Sequence, residues 1–139
     1  MKSKIAIIVS IVILAVLLTA AGVVLYPVYQ EKKQEETYEK VKANNQLFIA
    51  MVLNEYEKDK TQKAENVAQK VSDAMNQKEK NPYNSKDLAF SFDKDCKGCH
   101  AVEYDNDLSM VILTTYDKDG NLDARTVIKP PSYVTYFKD

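Results

Sequence analysis

The string Cys96-Lys97-Gly98-Cys99-His100 concentrates the reactive side chains of this sequence, since it holds both cysteines and the only histidine. Three chemistries fit it. A Cys-x-x-Cys-His run is the attachment signature of c-type haem, in which two thioethers hold the porphyrin and the histidine binds iron. A zinc site could also recruit thiolates and an imidazole, but zinc takes four ligands and only three stand here. The plainest reading makes Lys97–Gly98 a two-residue hairpin turn with Cys96 and Cys99 joined as a disulfide across it. So short a closed loop gives little entropic stabilisation. On that reading the pair pins a tip projecting from a sheet, with His100 beside it. For haem, Met110 is the nearest candidate for a second axial ligand, and it falls in a predicted strand.

Other strings carry weaker signals. Asp117-Lys118-Asp119-Gly120-Asn121 starts like a calcium loop, with oxygen ligands at the first, third and fifth places. Leu122 then occupies the place of the turn glycine and Ile128 that of the bidentate glutamate, so the string reads as an ordinary hairpin and no metal site is expected. The nine tyrosines suit strands, with Tyr26 and Tyr29 placed for a membrane interface. With one histidine and no set of residues arranged for acid–base or nucleophilic work, the sequence predicts no enzyme and no small-molecule substrate.

The elements that must position these residues follow from hydrophobic periodicity. Ile5–Tyr26 is an uncharged run of 22 residues. As a helix it reaches roughly 33 Å at ~1.5 Å per residue, enough for a ~30 Å hydrocarbon core. Residues 1–4 form a short basic leader with Lys2 and Lys4. The stretch after the run mixes both signs, so the positive-inside bias leaves the N-terminus cytoplasmic and residues 27–139 outside the cell membrane. Cleavage as a signal peptide after Thr19, Ala20 and Ala21 competes with this, but the apolar character continues past that point to Tyr26.

After Pro27 a charged helix with an apolar stripe is predicted to about Lys58. The stripe holds Tyr38, Val41, Phe48, Val52 and Tyr56, with Leu47 and Met51 beside it. A second helix carries Ala64, Val67, Ala68, Val71, Ala74 and Met75, with Asp59 or Thr61 as its cap, and ends before Asn81–Pro82. From Leu88 the period changes to two, with Leu88, Phe90 and Phe92 on one face of a first strand. Strands starting at Val102, over Leu108–Tyr116 and over Leu122–Ile128 follow, with an Asp119–Gly120 turn. Tyr133–Phe137 has the makings of a short fifth, edge strand after Pro130–Pro131. The fold expected is α+β: a long transmembrane-plus-amphipathic N-terminal helix packed on a four-stranded antiparallel meander, five-stranded if the edge strand forms.

Charge excludes one further class. The 139 residues carry 19 basic and 20 acidic side chains. Residues 1–26 hold Lys2 and Lys4 and no acid, so the remainder has 17 basic and 20 acidic groups, net −3. Such a domain has no overall basic face for nucleic acid.

This order of elements resembles the type IV pilins and pseudopilins. The residues that carry the likeness are Tyr26-Pro27-Val28-Tyr29, the long helix after them, the segment Met75–Asn84, and Arg125–Tyr136, which looks like pilin-related proteins of Gram-positive bacteria. The resemblance implies a structural subunit of a surface filament serving adhesion, motility, uptake or secretion. Its partners would be the membrane and copies of itself or other pilin-like subunits. Its helix, with Pro27, Tyr38, Val41, Phe48, Val52 and Tyr56, would pack in the filament. The resemblance implies no cofactor; the alternative is a membrane-anchored monohaem electron carrier using Cys96, Cys99 and His100. The chain departs from the pilin processing motif: no glycine precedes the apolar run, and Ser10 stands at or near the place of the usual glutamate. A relative that keeps its leader is the corresponding expectation.

Overall fold

Helix α1 runs Lys2–Lys58, uninterrupted by Pro27, in a computed structural model that describes residues 2–93 and 97–138. The chain divides into two compact units, Met1–Tyr38 and Glu39–Asp139. The first unit is helix alone. Its large apolar side chains from Ile5 to Tyr29 are 50–70% exposed. α1 is long and apolar enough here to cross a membrane, and none of its apolar window is buried by the protein. The hydroxyls of Ser10 and Thr19 donate to the carbonyls of Ala6 and Ala15, at 2.8 and 2.9 Å. Polar groups satisfied inside the helix in this way are suited to lipid, which offers them no partner.

In the second unit the end of α1 and helix α2 (Ala64–Lys78) cover one side of a five-stranded sheet. The strands are β1 (Phe90–Ser91), β2 (His100–Asp105), β3 (Met110–Tyr116), β4 (Leu122–Lys129) and β5 (Ser132–Phe137), in that spatial order. Neighbours from β2 to β5 are antiparallel, so the expected α+β meander is present with its fifth strand. Apolar residues at spacings of three and four on both helices meet alternate residues of the sheet, and the core forms between them. Phe48, Ile49 and Val52 of α1 and Val67, Val71 and Met75 of α2 pack with Val102, Val111, Leu113 and Ile128.

The first strand corrects the sequence reading. β1 is two residues long and pairs parallel to β2, with Phe90 opposite His100. Ala89 and Phe90 are buried, whereas Leu88 and Phe92 are 53% and 40% exposed. The alternation of Leu88, Phe90 and Phe92 therefore does not describe a strand face. What fixes this segment is a side chain distant in sequence. Asn76 of α2 donates from Nδ2 to the Phe90 carbonyl at 2.8 Å and accepts the Phe90 N–H at 2.9 Å.

The cap of α2 also differs from expectation. Asp59 Oδ1 accepts from the backbone and hydroxyl of Thr61, so both serve the turn after α1. The residue at the cap position is Lys63, which makes no side-chain capping bond. Instead Asn106, in the loop between β2 and β3, accepts the Glu65 N–H at 3.0 Å. An acceptor from the sheet thus satisfies one of the orphan donors of the helix end.

Candidate functional site

The Cys-x-x-Cys-His string joins β1 to β2. Cys96 lies outside the described residues, and Lys97, Gly98, Cys99 and His100 lie within them. Because β1 and β2 run parallel, the segment between them is a crossover and not a hairpin turn. That corrects the projecting-tip reading, and burial corrects it again: Cys99 and His100 are each 1% exposed.

Backbone and side-chain contacts hold the crossover from several sides. Gly98 N–H donates to the Asp117 carbonyl at 2.7 Å, Tyr116 N–H to the Cys99 carbonyl at 3.1 Å, and His100 N–H to the Ala89 carbonyl at 2.9 Å. Buried Asn81 donates from Nδ2 to the Lys97 carbonyl at 3.0 Å, while its Oδ1 accepts the N–H groups of Tyr83 and Asn84. Gly98 has φ +65, in the left-handed region that favours glycine, and a Cβ there would run into Tyr83 Cδ2. The fold thus brings parts of two strings noted in the sequence together, Asn81 and Tyr83 of the first with Lys97 and Gly98 of the second. It joins to them the Asp117 turn, where the carboxylate accepts the N–H groups of Asp119 and Asn121. That turn is the predicted hairpin, with Gly120 at φ +85.

His100 is a core residue. Its ring stacks on Phe90 at 4.7 Å between centroids, and Phe90 stacks in turn on Phe48 at 4.9 Å. Nδ1 lies 2.9 Å from Thr115 Oγ1, and Nε2 is buried without a hydrogen-bond partner. Burial pushes its pKa down to about 4, so the ring is neutral at pH 7. An imidazole stacked in this way would have to leave the core to reach an iron outside it, and this geometry does not fit haem ligation. Among the described residues no group of three His, Cys, Asp or Glu side chains could hold a metal ion.

The helix residues assigned to filament packing separate into two sets. Val41, Phe48, Val52 and Tyr56 are buried within the second unit, so they are already used by the chain's own fold. Pro27 and Tyr38 are exposed. Periodicity alone missed Ile49, Asn44 and Glu55, which are buried on the same face. Glu55 receives Lys58 Nζ at 3.0 Å and Lys70 Nζ at 2.7 Å, tying α1 to α2. Its hydrogen bonds to Lys70 and then Lys58 hold its carboxyl below the usual range. The sign of Glu55 against two lysines was visible in the sequence, but the Lys70 pairing required the helix–helix contact.

A cavity of about 390 Å³ opens between α1, the β2–β3 loop and the β4–β5 turn, lined by Leu53, Tyr56, Leu108, Lys129, Pro130 and Pro131 among others. Its walls are mostly hydrocarbon, and the Tyr56 hydroxyl at its edge is buried without a partner. Glu57, Lys60 and Ser109 also line it. The chain matches no family model, and comparison with curated proteins and with solved structures likewise finds no match.

Proposed function

We propose that this chain is a non-enzymatic structural subunit of a pilus-like surface filament, inserted in the cell membrane by Ile5–Tyr26 with its N-terminus cytoplasmic and residues 27–139 outside. The observation that carries this reading is the division of labour along α1. Between Val41 and Tyr56 one apolar face, with Val41, Phe48, Ile49, Val52 and Tyr56, is buried in the domain, while from Ile5 to Tyr29 the large apolar side chains are exposed without interruption. So long an apolar surface needs lipid or the helices of sister subunits to cover it. No free cysteine occurs among the described residues, which supports a Cys96–Cys99 disulfide and an oxidising compartment. In this reading the protein binds no haem, and the core position of His100 supports that. An absorbance spectrum of protein from its host should lack a Soret band.

Surface shearing tests assembly. Shear should release the protein in high-molecular-mass form, and crosslinking in membranes should capture it with other subunits. If shearing releases none and crosslinking yields monomers only, the filament reading fails.

A further inference from the structure

The two edges of the sheet are treated differently. At the β1 edge, Asn76 occupies both the N–H and the C=O of Phe90 and closes the ladder. At the other edge no described residue caps β5 in that way, and its side chains Tyr133, Val134, Tyr136 and Phe137 are 44–74% exposed. Ser132–Phe137 contains no charge, no proline and no bulge, the usual devices that keep an edge strand from pairing. We propose that β5 pairs antiparallel with β5 of a second copy of this chain, about a two-fold axis at Thr135.

The register follows from the backbone. Lys138 N–H donates to the Asp123 carbonyl at 3.1 Å, and β4 pairs with β5 without a shift. N–H and C=O groups alternate sides along an antiparallel strand. Ser132, Val134, Tyr136 and Lys138 therefore turn theirs toward β4, and Tyr133, Thr135 and Phe137 turn theirs outward. An axis at Thr135 sets Thr135 against Thr135 and Tyr133 against Phe137, so every outward group meets an outward group of the other copy. On the opposite face, the same register sets Val134 against Tyr136.

Alternative registers are poorer. A slip of one residue in the pairing sets side chains of opposite faces across from each other. Moving the axis to Tyr133 brings Pro131, which has no N–H, opposite Thr135. Moving it to Phe137 loses the Tyr133–Phe137 pair. The aromatic pairs of the Thr135 register are those that stabilise neighbouring strands, and a two-fold interface requires such self-complementarity. Pairing through β5 does not rest on the filament reading, which uses α1.

The test uses the full chain in membranes. Copies carrying Tyr133→Cys and copies carrying Phe137→Cys are co-expressed and oxidised with copper phenanthroline. Both positions are exposed, and the register holds their Cα atoms about 5.5 Å apart, within disulfide reach. A covalent dimer should form when both variants are present and drop about tenfold when either is expressed alone. Thr135→Cys should form the dimer by itself. Adding Tyr136→Lys to it should lower the yield about tenfold by setting lysine against Val134, while adding Leu88→Lys at the far edge should leave it unchanged. Protease resistance of each variant reports that the domain is folded. Failure of folded variants to crosslink, equal yield with Tyr136→Lys, or a crosslinked product containing a different protein would each overturn the self-pairing. Loss of shearing with the crosslink retained would remove the filament reading and leave this one standing.

Discussion

At the level of single residues, His100 is a titratable group buried to 1% exposure. Its pKa falls from the ordinary 6.5 to about 4 because burial penalises the charged ring. The unfolded chain therefore binds a proton more readily than the folded one between those values. Stability contributed by the neutral ring is complete above pH 6.5 and is lost as pH falls toward 4, about 2 kcal/mol of it between pH 7 and 5. Denaturant unfolding of the full chain in detergent, followed by tyrosine fluorescence, should show this loss. His100→Leu should flatten the dependence over that window, at the cost of leaving the Thr115 hydroxyl without its partner. An unchanged slope in the variant would assign the pH dependence to other groups. The Gly98 position carries a second expectation. Gly98→Ala adds a Cβ both in the left-handed region and against Tyr83, so it should destabilise by about 1–3 kcal/mol. Gly22→Ala, where an added Cβ meets nothing, should leave unfolding unchanged.

Among the elements, asparagines do work that periodicity does not announce. Asn106→Ala removes the acceptor at the start of α2 and should cost about 1 kcal/mol. Asn76→Ala should cost more, about 2–3 kcal/mol, because it leaves a donor and an acceptor of Phe90 unpaired beside the core. The two should be separable by thermal unfolding, and equal effects would show that β1 does not depend on Asn76. These contacts also mark where sequence reading stops. The spacings of Phe48, Val52 and Tyr56 and of Val67, Val71 and Met75 are local, so both helices and their buried faces were legible. So were β3 and β4, through alternation and the Asp119–Gly120 turn. β1 was not, because a two-residue parallel strand is defined by Asn76 and His100 rather than by its own pattern. The Cys-x-x-Cys-His string misled for the same reason. Its residue types suggest a turn or a ligand set, but the parallel pairing of its flanks makes it a crossover, with Gly98, Cys99 and His100 buried.

For the whole molecule, the decisive division is between an apolar helix that the protein leaves uncovered and a domain that buries its own core. Helix length and apolar content were plain in the sequence. The sharing of α1 between membrane span and packed amphipathic helix was legible too, but not which stripe residues the domain buries, because Tyr38, Leu47 and Phe48 look alike to a hydropathy count while only Phe48 is buried. If Ile5–Tyr26 is the anchor, the full 15.8 kDa chain should resist carbonate extraction from membranes. Leu14 and Leu18 lie one helical turn apart near the centre of that run, both exposed. Replacing each with arginine should cost roughly 2.5–3.5 kcal/mol of insertion, enough together to move the chain to the soluble fraction. The second unit should keep its protease resistance in that variant, because none of its core residues lies before Val41. Intact mass of the protein separates this from a cleaved signal sequence: a stable form lacking residues 1–21 would show that the apolar run is a leader rather than an anchor.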